Sequence, residues 1–95
     1  MDQLSRLNFF PSPEATASAH DGGIVILHTG RGRVFSSNQT GAVIWRGIEQ
    51  GRSLDGIVAE ISSEFQIAGT TARSHALTFL AALEQQALIM REVAS

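Results

Sequence analysis

Arg33-Val34-Phe35-Ser36-Ser37-Asn38-Gln39-Thr40-Gly41-Ala42-Val43-Ile44-Trp45 is the stretch in which the apolar period of this chain changes. Up to Ser37 the residues read as a short strand, and beyond Asn38 they follow a helical repeat, with Val43, Ile44 and Ile48 accompanied by Trp45. Asn38 or Thr40 supplies an N-cap, and Gly51 suits the left-handed residue that ends a helix. A run of strands followed by a run of helices is the pattern of an α+β domain.

Working back from this junction, Ile24-Val25-Ile26-Leu27-His28 is apolar and β-branched enough for a deeply buried strand. Thr29-Gly30-Arg31-Gly32 turns it into Arg33–Ser37, and Asp21-Gly22-Gly23 turns into it from Ala15–His20. That earlier stretch alternates small apolar with polar residues, as a half-buried strand does. Two hairpins therefore predict a three-stranded antiparallel meander. Pro11 and Pro13 keep residues 1–13 as an extended N-terminal segment, so the domain is expected over 14–92.

Working forward, Ser53 caps a second helix whose Leu54, Ile57, Val58, Ile61 and Phe65 make one apolar stripe, with Asp55, Glu60 and Glu64 outside it. Gly69 interrupts, and Thr70 or Thr71 caps a third helix reaching about Gln86, with Ala72, Ala76, Phe79, Leu80 and Leu83 turned inward. Leu88-Ile89-Met90 closes as a short strand. The expected fold is a three-stranded antiparallel sheet followed by a three-helix, winged helix-turn-helix-like bundle, in the order βββααα.

With 95 residues, 43% of them hydrophobic and 17% charged, the chain has the make-up of one folded domain. It contains no cysteine, which removes disulfides, thiolate metal sites and a thiol nucleophile together. No apolar run approaches the ~20 residues of a membrane span, and the start lacks a signal-peptide pattern, so a cytoplasmic protein without a membrane partner is expected. Formal net charge is −2, and all seven basic side chains are arginines. Four of these, Arg31, Arg33, Arg46 and Arg52, fall between Gly30 and Ser53 against Glu49 alone, which makes the middle of the chain locally positive.

Residues that carry chemistry read blandly. His20, His28 and His75 have no carboxylates at ligand spacing, so no metal is expected. Ser74 and His75 are helix neighbours pointing about 100° apart, and no Gly-x-Ser-x-Gly elbow is present. Gly30-Arg31-Gly32 leads into a strand rather than a helix N-terminus, which makes it a hairpin turn and not a phosphate loop. Trp45 reads as core. No catalytic residue or cofactor is expected. Three helices beside a small sheet also raise a winged-helix DNA-binding regulator, but the third helix carries only Arg73 and His75 against Glu84, too little charge to neutralise a duplex backbone. A nucleic-acid partner is not expected.

Asn38-Gln39-Thr40-Gly41-Ala42-Val43-Ile44-Trp45 resembles the signature of PqqD-like proteins, the family of RiPP recognition elements. Asp21-Gly22-Gly23 and Gly32-Arg33-Val34-Phe35 upstream, and Gly51-Arg52-Ser53-Leu54, Phe65, Phe79-Leu80, Leu83 and Leu88-Ile89 downstream, extend the similarity over most of the chain. Two positions depart from the family: Val34 stands where an aromatic is frequent, and Ser37 where Leu is. The resemblance implies a non-catalytic protein that holds the leader segment of a ribosomally made precursor peptide. It implies delivery to maturation enzymes, either the leader peptidase and cyclase of lasso-peptide pathways or the radical-SAM partner of PqqD. In the family the leader adds antiparallel to the third strand and packs against the third helix. Carried over, the peptide-binding residues are Arg33, Val34, Phe35, Ser36 and Ser37.

The residues themselves are compatible with such a site. An end strand without proline or lysine leaves its backbone edge open to strand addition. Arg33 on that strand either deters unwanted pairing or selects an acidic partner. On the third helix, Leu77 lies about 100° from Ala76 and at nearly the same angle as Arg73 and Glu84. That stripe, with Leu80 on its flank, is the expected groove wall: Arg73, Leu77, Leu80 and Glu84.

Overall fold

The computed structural model describes residues 7–93. Strand β1 (Leu7–Pro11) precedes β2 (Ala15–His20), β3 (Gly23–His28) and β4 (Arg33–Ser37); α1 (Gln39–Glu49), α2 (Leu54–Phe65) and α3 (Gly69–Gln85) follow, and β5 (Ile89–Val93) closes the chain. β2, β3 and β4 form an antiparallel sheet in that order, and β1 pairs antiparallel with β5 as a separate ribbon. The α+β class and the βββααα order are as expected; the closing strand expected at Leu88-Ile89-Met90 forms as β5 over Ile89–Val93, and β1 is the strand not expected.

Register decides which side chains face the helices. Ile24, Ile26 and His28 of β3 are buried, and their cross-strand partners on β4 are Ser37, Phe35 and Arg33. Side chains alternate between faces, so Ser37, Phe35 and Arg33 share the inner face. Val34 and Ser36, opposite Leu27 and Val25, stand on the outer one. Gly23 opens β3 with φ of +152°, and a Cβ there would overlap the Ser37 carbonyl and come within 2.8 Å of the Asn38 backbone. Its missing side chain is what lets the β4–α1 junction lie against β3.

The junction residues act as expected: the Gly41 N–H donates to Asn38 Oδ1 at 3.1 Å, and the Gly56 N–H to Ser53 Oγ at 3.3 Å. Gly51, at φ +74°, ends α1. The start of α3 differs from expectation, because Ala68 is the N-cap, no side chain caps it, and Gly69 is its first residue rather than a break. Ile67 and Ala72 both pack into the core, at the N′ and N4 positions of a hydrophobic staple, and this fixes the entry of the helix without Thr70 or Thr71.

The core runs through all three helices and β3, with Ile26, Ile44, Ile48, Leu54, Ile57, Ile61, Leu83 and Leu88 fully enclosed. Trp45 is part of it. The extended N-terminal segment is more than a lead-in: β1 places Phe9 in this core at 2% exposure, and Asn8 bridges to Ser53. Residues 1–6 of that segment lie outside the described residues. Among the described residues no helix is long and apolar enough to cross a membrane.

Candidate functional site

β4 is the last strand of its sheet, so one of its edges has no strand beside it. Its inner face looks across at α3, which runs antiparallel to it. Near its start, Arg33 Nη1 donates to Gln86 Oε1 at 3.0 Å, just past the end of α3. In the middle, the Phe35 and Phe79 rings meet edge to face with centroids 5.7 Å apart. At the Ser37 end the strand and helix separate around a cavity of about 350 Å³, lined by Ser37, Asn38, Thr40, Gly41, Ile44, His75, Thr78 and Phe79.

Gly41 sets the depth of this cavity. A Cβ there would overlap the Ser37 side chain and stand 2.9 Å from the Phe79 ring. Ser37 acts in the same direction, since its short side chain occupies little of the space beside Phe79. The lining combines an aromatic face and the Ile44 side chain with hydroxyls and an imidazole at the rim, the mixed character of a site for one apolar side chain and its polar backbone.

Strand residues Arg33–Ser37 lie where the sequence predicts, with the same bounds. The four helix residues expected to form the groove wall have other neighbours. Arg73 is directed at α2, its Nη1 3.4 Å from Asp55 Oδ1. Glu84 reaches β5, where Arg91 Nε donates to its Oε2 at 2.6 Å and Arg91 Nη2 donates to its other oxygen. Leu77 is half-buried against the core, and Leu80, expected on the groove flank, is a core residue at 2% exposure. At about 100° per residue, Arg73, Leu77 and Glu84 cluster on one side of the buried arc of Ala72, Ala76, Leu80 and Leu83. His75, Phe79 and Gln86 cluster on the other side, roughly 160° away, and it is this side that faces β4. The helical period defines two flanks of a buried arc and leaves open which one borders the sheet; Phe79, grouped with the inward residues by sequence, was the available signal.

Electrostatics are also redistributed by the fold. Arg46 pairs with Glu60 at 3.3 Å and Glu64 at 3.6 Å, and Arg52 with Glu60 at 2.9 Å, so two of the four central arginines are neutralised between α1 and α2. The hydrogen bonds from Arg91 hold the Glu84 carboxyl below its ordinary value, and the same bonds raise the Arg91 guanidinium. The histidines are dispersed: His20 accepts from the Gly22 N–H, buried His28 accepts from the Arg31 N–H and lies 3.8 Å from Glu14, and His75 lines the cavity. Among the described residues no cluster of histidines and carboxylates has the form of a metal site.

Residues 23–89, well over half of the chain, match the family model described as coenzyme PQQ synthesis protein D (PqqD). The fold is similar to a solved structure described as TbiB1 in complex with the TbiA(beta) leader peptide, at a TM-score of 0.80 and 27% identity, covering 90% of this chain and 99% of that one. A second structure, lasso peptide synthetase B1 complexed with the leader peptide, superimposes at a TM-score of 0.78 and 23% identity, over 87% of this chain and 98% of the other, a likeness of fold. No curated protein sequence matches the chain.

Proposed function

The chain belongs to the PqqD family, and from that membership we propose that it is a non-catalytic recognition protein that binds the leader segment of a ribosomally synthesised precursor peptide by strand addition to β4. The observation that carries this reading is the open β4 edge lying directly beside the cavity at Ser37, Gly41 and Phe79. The TbiB1 structure, similar over nearly its whole length, is a complex with a leader peptide. The bound protein then presents the rest of the precursor to maturation enzymes, a lasso-type leader peptidase and cyclase or a radical-SAM partner.

Strand and helix contribute differently. The backbone of Arg33–Ser37 sets direction and register; Val34 and Ser36 point away from the groove and add little else. Four or five backbone hydrogen bonds at a net ~1 kcal/mol each scarcely offset an association cost of about 4 kcal/mol. An apolar leader side chain buried in the cavity adds about 1.5–3 kcal/mol, which moves selectivity to the lining residues Ser37, His75, Thr78 and Phe79. The winged-helix regulator is disfavoured by α3 itself: its exposed residues are Gly69, Thr70, Thr71, Ser74, His75, Thr78, Ala81 and Gln85, without an arginine, and Arg73 is engaged by Asp55.

The test is an N-methyl scan of the leader half of a precursor encoded beside this gene, titrated against the protein by fluorescence polarisation. Strand addition predicts that N-methylation weakens binding at every second residue over four or five positions, because alternate N–H groups of an edge-added strand point to β4. Affinity indifferent to N-methylation throughout the peptide would exclude strand addition.

A further inference from the structure

Six arginines lie within the described residues, and four of them, Arg46, Arg52, Arg73 and Arg91, are paired with carboxylates. Arg31 and Arg33 are the other two, and among the described residues neither forms an ion pair. Both belong to the β3–β4 hairpin. Glu14, tied to this turn through the Thr29 N–H, turns its carboxylate towards His28 instead. Arg33 sits on the inner face with Phe35 and Ser37, and its guanidinium spans the end of the groove with only the neutral Gln86 carbonyl to accept from it. Four donors of that fork remain for an incoming group.

The groove is therefore polar along its length. A cavity with an aromatic wall lies beside Ser37, and an uncompensated guanidinium lies at Arg33, four strand residues away, or about 14 Å. A peptide added to β4 presents every second side chain to α3. Residues opposite Ser37, Phe35 and Arg33 face inward, and those three peptide positions are successive alternate residues. Antiparallel addition continues the meander and is the more stable and more frequent pairing. It sets the peptide's N-terminal end at Ser37 and its C-terminal end at Arg33.

Resting on the strand-addition reading above, we propose that Arg33 is a specificity determinant, and that the peptide this chain recognises carries an apolar residue followed, four positions later, by Asp or Glu. The apolar side chain enters the cavity at Phe79. The carboxylate meets the Arg33 guanidinium in a charge-assisted hydrogen bond, with Arg31 on the adjoining turn adding to the local positive potential.

Selection of random twelve-residue peptides displayed on phage against the purified protein tests this. Wild type enriches an apolar residue with Asp or Glu four positions C-terminal to it. Arg33→Gln retains the apolar preference and loses the acid, and Arg33→Glu exchanges the acid for Lys or Arg at the same spacing, a reversal that damage to the fold would not produce. A synthetic peptide from the enriched pool, altered from Asp to Asn at that position, binds wild type about fivefold more weakly and Arg33→Gln equally. An apolar anchor enriched with no acid at fixed spacing, or with the acid four positions before it, overturns the Arg33 assignment and leaves strand addition standing. Absence of any enriched apolar anchor, with no difference between wild type and Phe79→Ala, overturns the underlying reading instead.

Discussion

Phe79 and Leu80 are neighbours in sequence and serve different ends. Leu80 points into the core between α3 and its partners, and Phe79 stands half-buried against Phe35 at the cavity. Leu80→Ala is expected to cost about 2–5 kcal/mol of stability, read as a lower urea midpoint, while the folded protein keeps its affinity for the leader. Phe79→Ala, which loses only part of a buried ring's packing, costs about 2 kcal/mol and weakens leader binding by about tenfold or more, as loss of a buried apolar contact does. Equal effects of the two substitutions on affinity would show that the cavity is not the anchor site. Sequence periodicity places both residues near the buried arc; separating them requires knowing that β4 borders the His75–Phe79 flank.

Elements meet at pairs that sequence spacing does not reveal. Glu84 on α3 and Arg91 on β5 lock the last helix to the terminal ribbon, with the Arg91 guanidinium 6.0 Å from the centre of the Phe9 ring. Both side chains are partly exposed, so solvent screening limits the pair to about 0.5 kcal/mol. The hydrogen bond from Arg91 holds the Glu84 carboxyl below its ordinary value of 4.5. Its stabilisation is therefore present above that unfolded-state value and is lost as pH falls through the lower folded value. Glu84→Gln should be less stable than wild type at pH 7, and the two should converge well below pH 4.5. A gap that persists undiminished at low pH would mean that Glu84 acts by packing rather than by charge. The boundaries of α1 and α2 were legible in Asn38, Gly51 and Ser53, because capping is local chemistry; the start of α3 was not, because core packing of Ile67 and Ala72 governs it.

At the scale of the whole molecule, β1 and β5 join the two ends of the chain and supply Phe9 and Ile89 to a core that is otherwise built from β3, the helices and Leu88. Stability margins of small domains are about 5–15 kcal/mol, so Phe9→Ala, at a cost of about 3–5 kcal/mol, should bring this domain close to unfolding although Phe9 belongs to a different sheet from β4. Chemical denaturation measures the loss. Saturating leader peptide should recover part of it, as any ligand specific for the folded state does. Wild-type stability in the variant would mean that the ribbon is peripheral. β1 could not be read as a paired strand because its partner, Ile89–Val93, lies at the other end of the chain, and no local pattern in Leu7–Pro11 announces it.

By itself the sequence determined the junction at Asn38, the meander before it, the helices after it and the identity of the edge strand Arg33–Ser37. Each depends on alternation, helical period, turn residues or caps, which act over a few neighbours. Tertiary structure alone decided which flank of α3 completes the groove, which arginines are neutralised, and that the N-terminal segment is a core strand. Those features depend on pairings between distant residues: Phe35 with Phe79, Arg46 and Arg52 with Glu60, and Phe9 opposite Arg91. The outcome at Arg33 shows the division most plainly. Its place on an open edge is written in the sequence, and its availability to a carboxylate follows from a fold that pairs the other central arginines with Glu60 and Glu64 and leaves Arg31 and Arg33 on the hairpin.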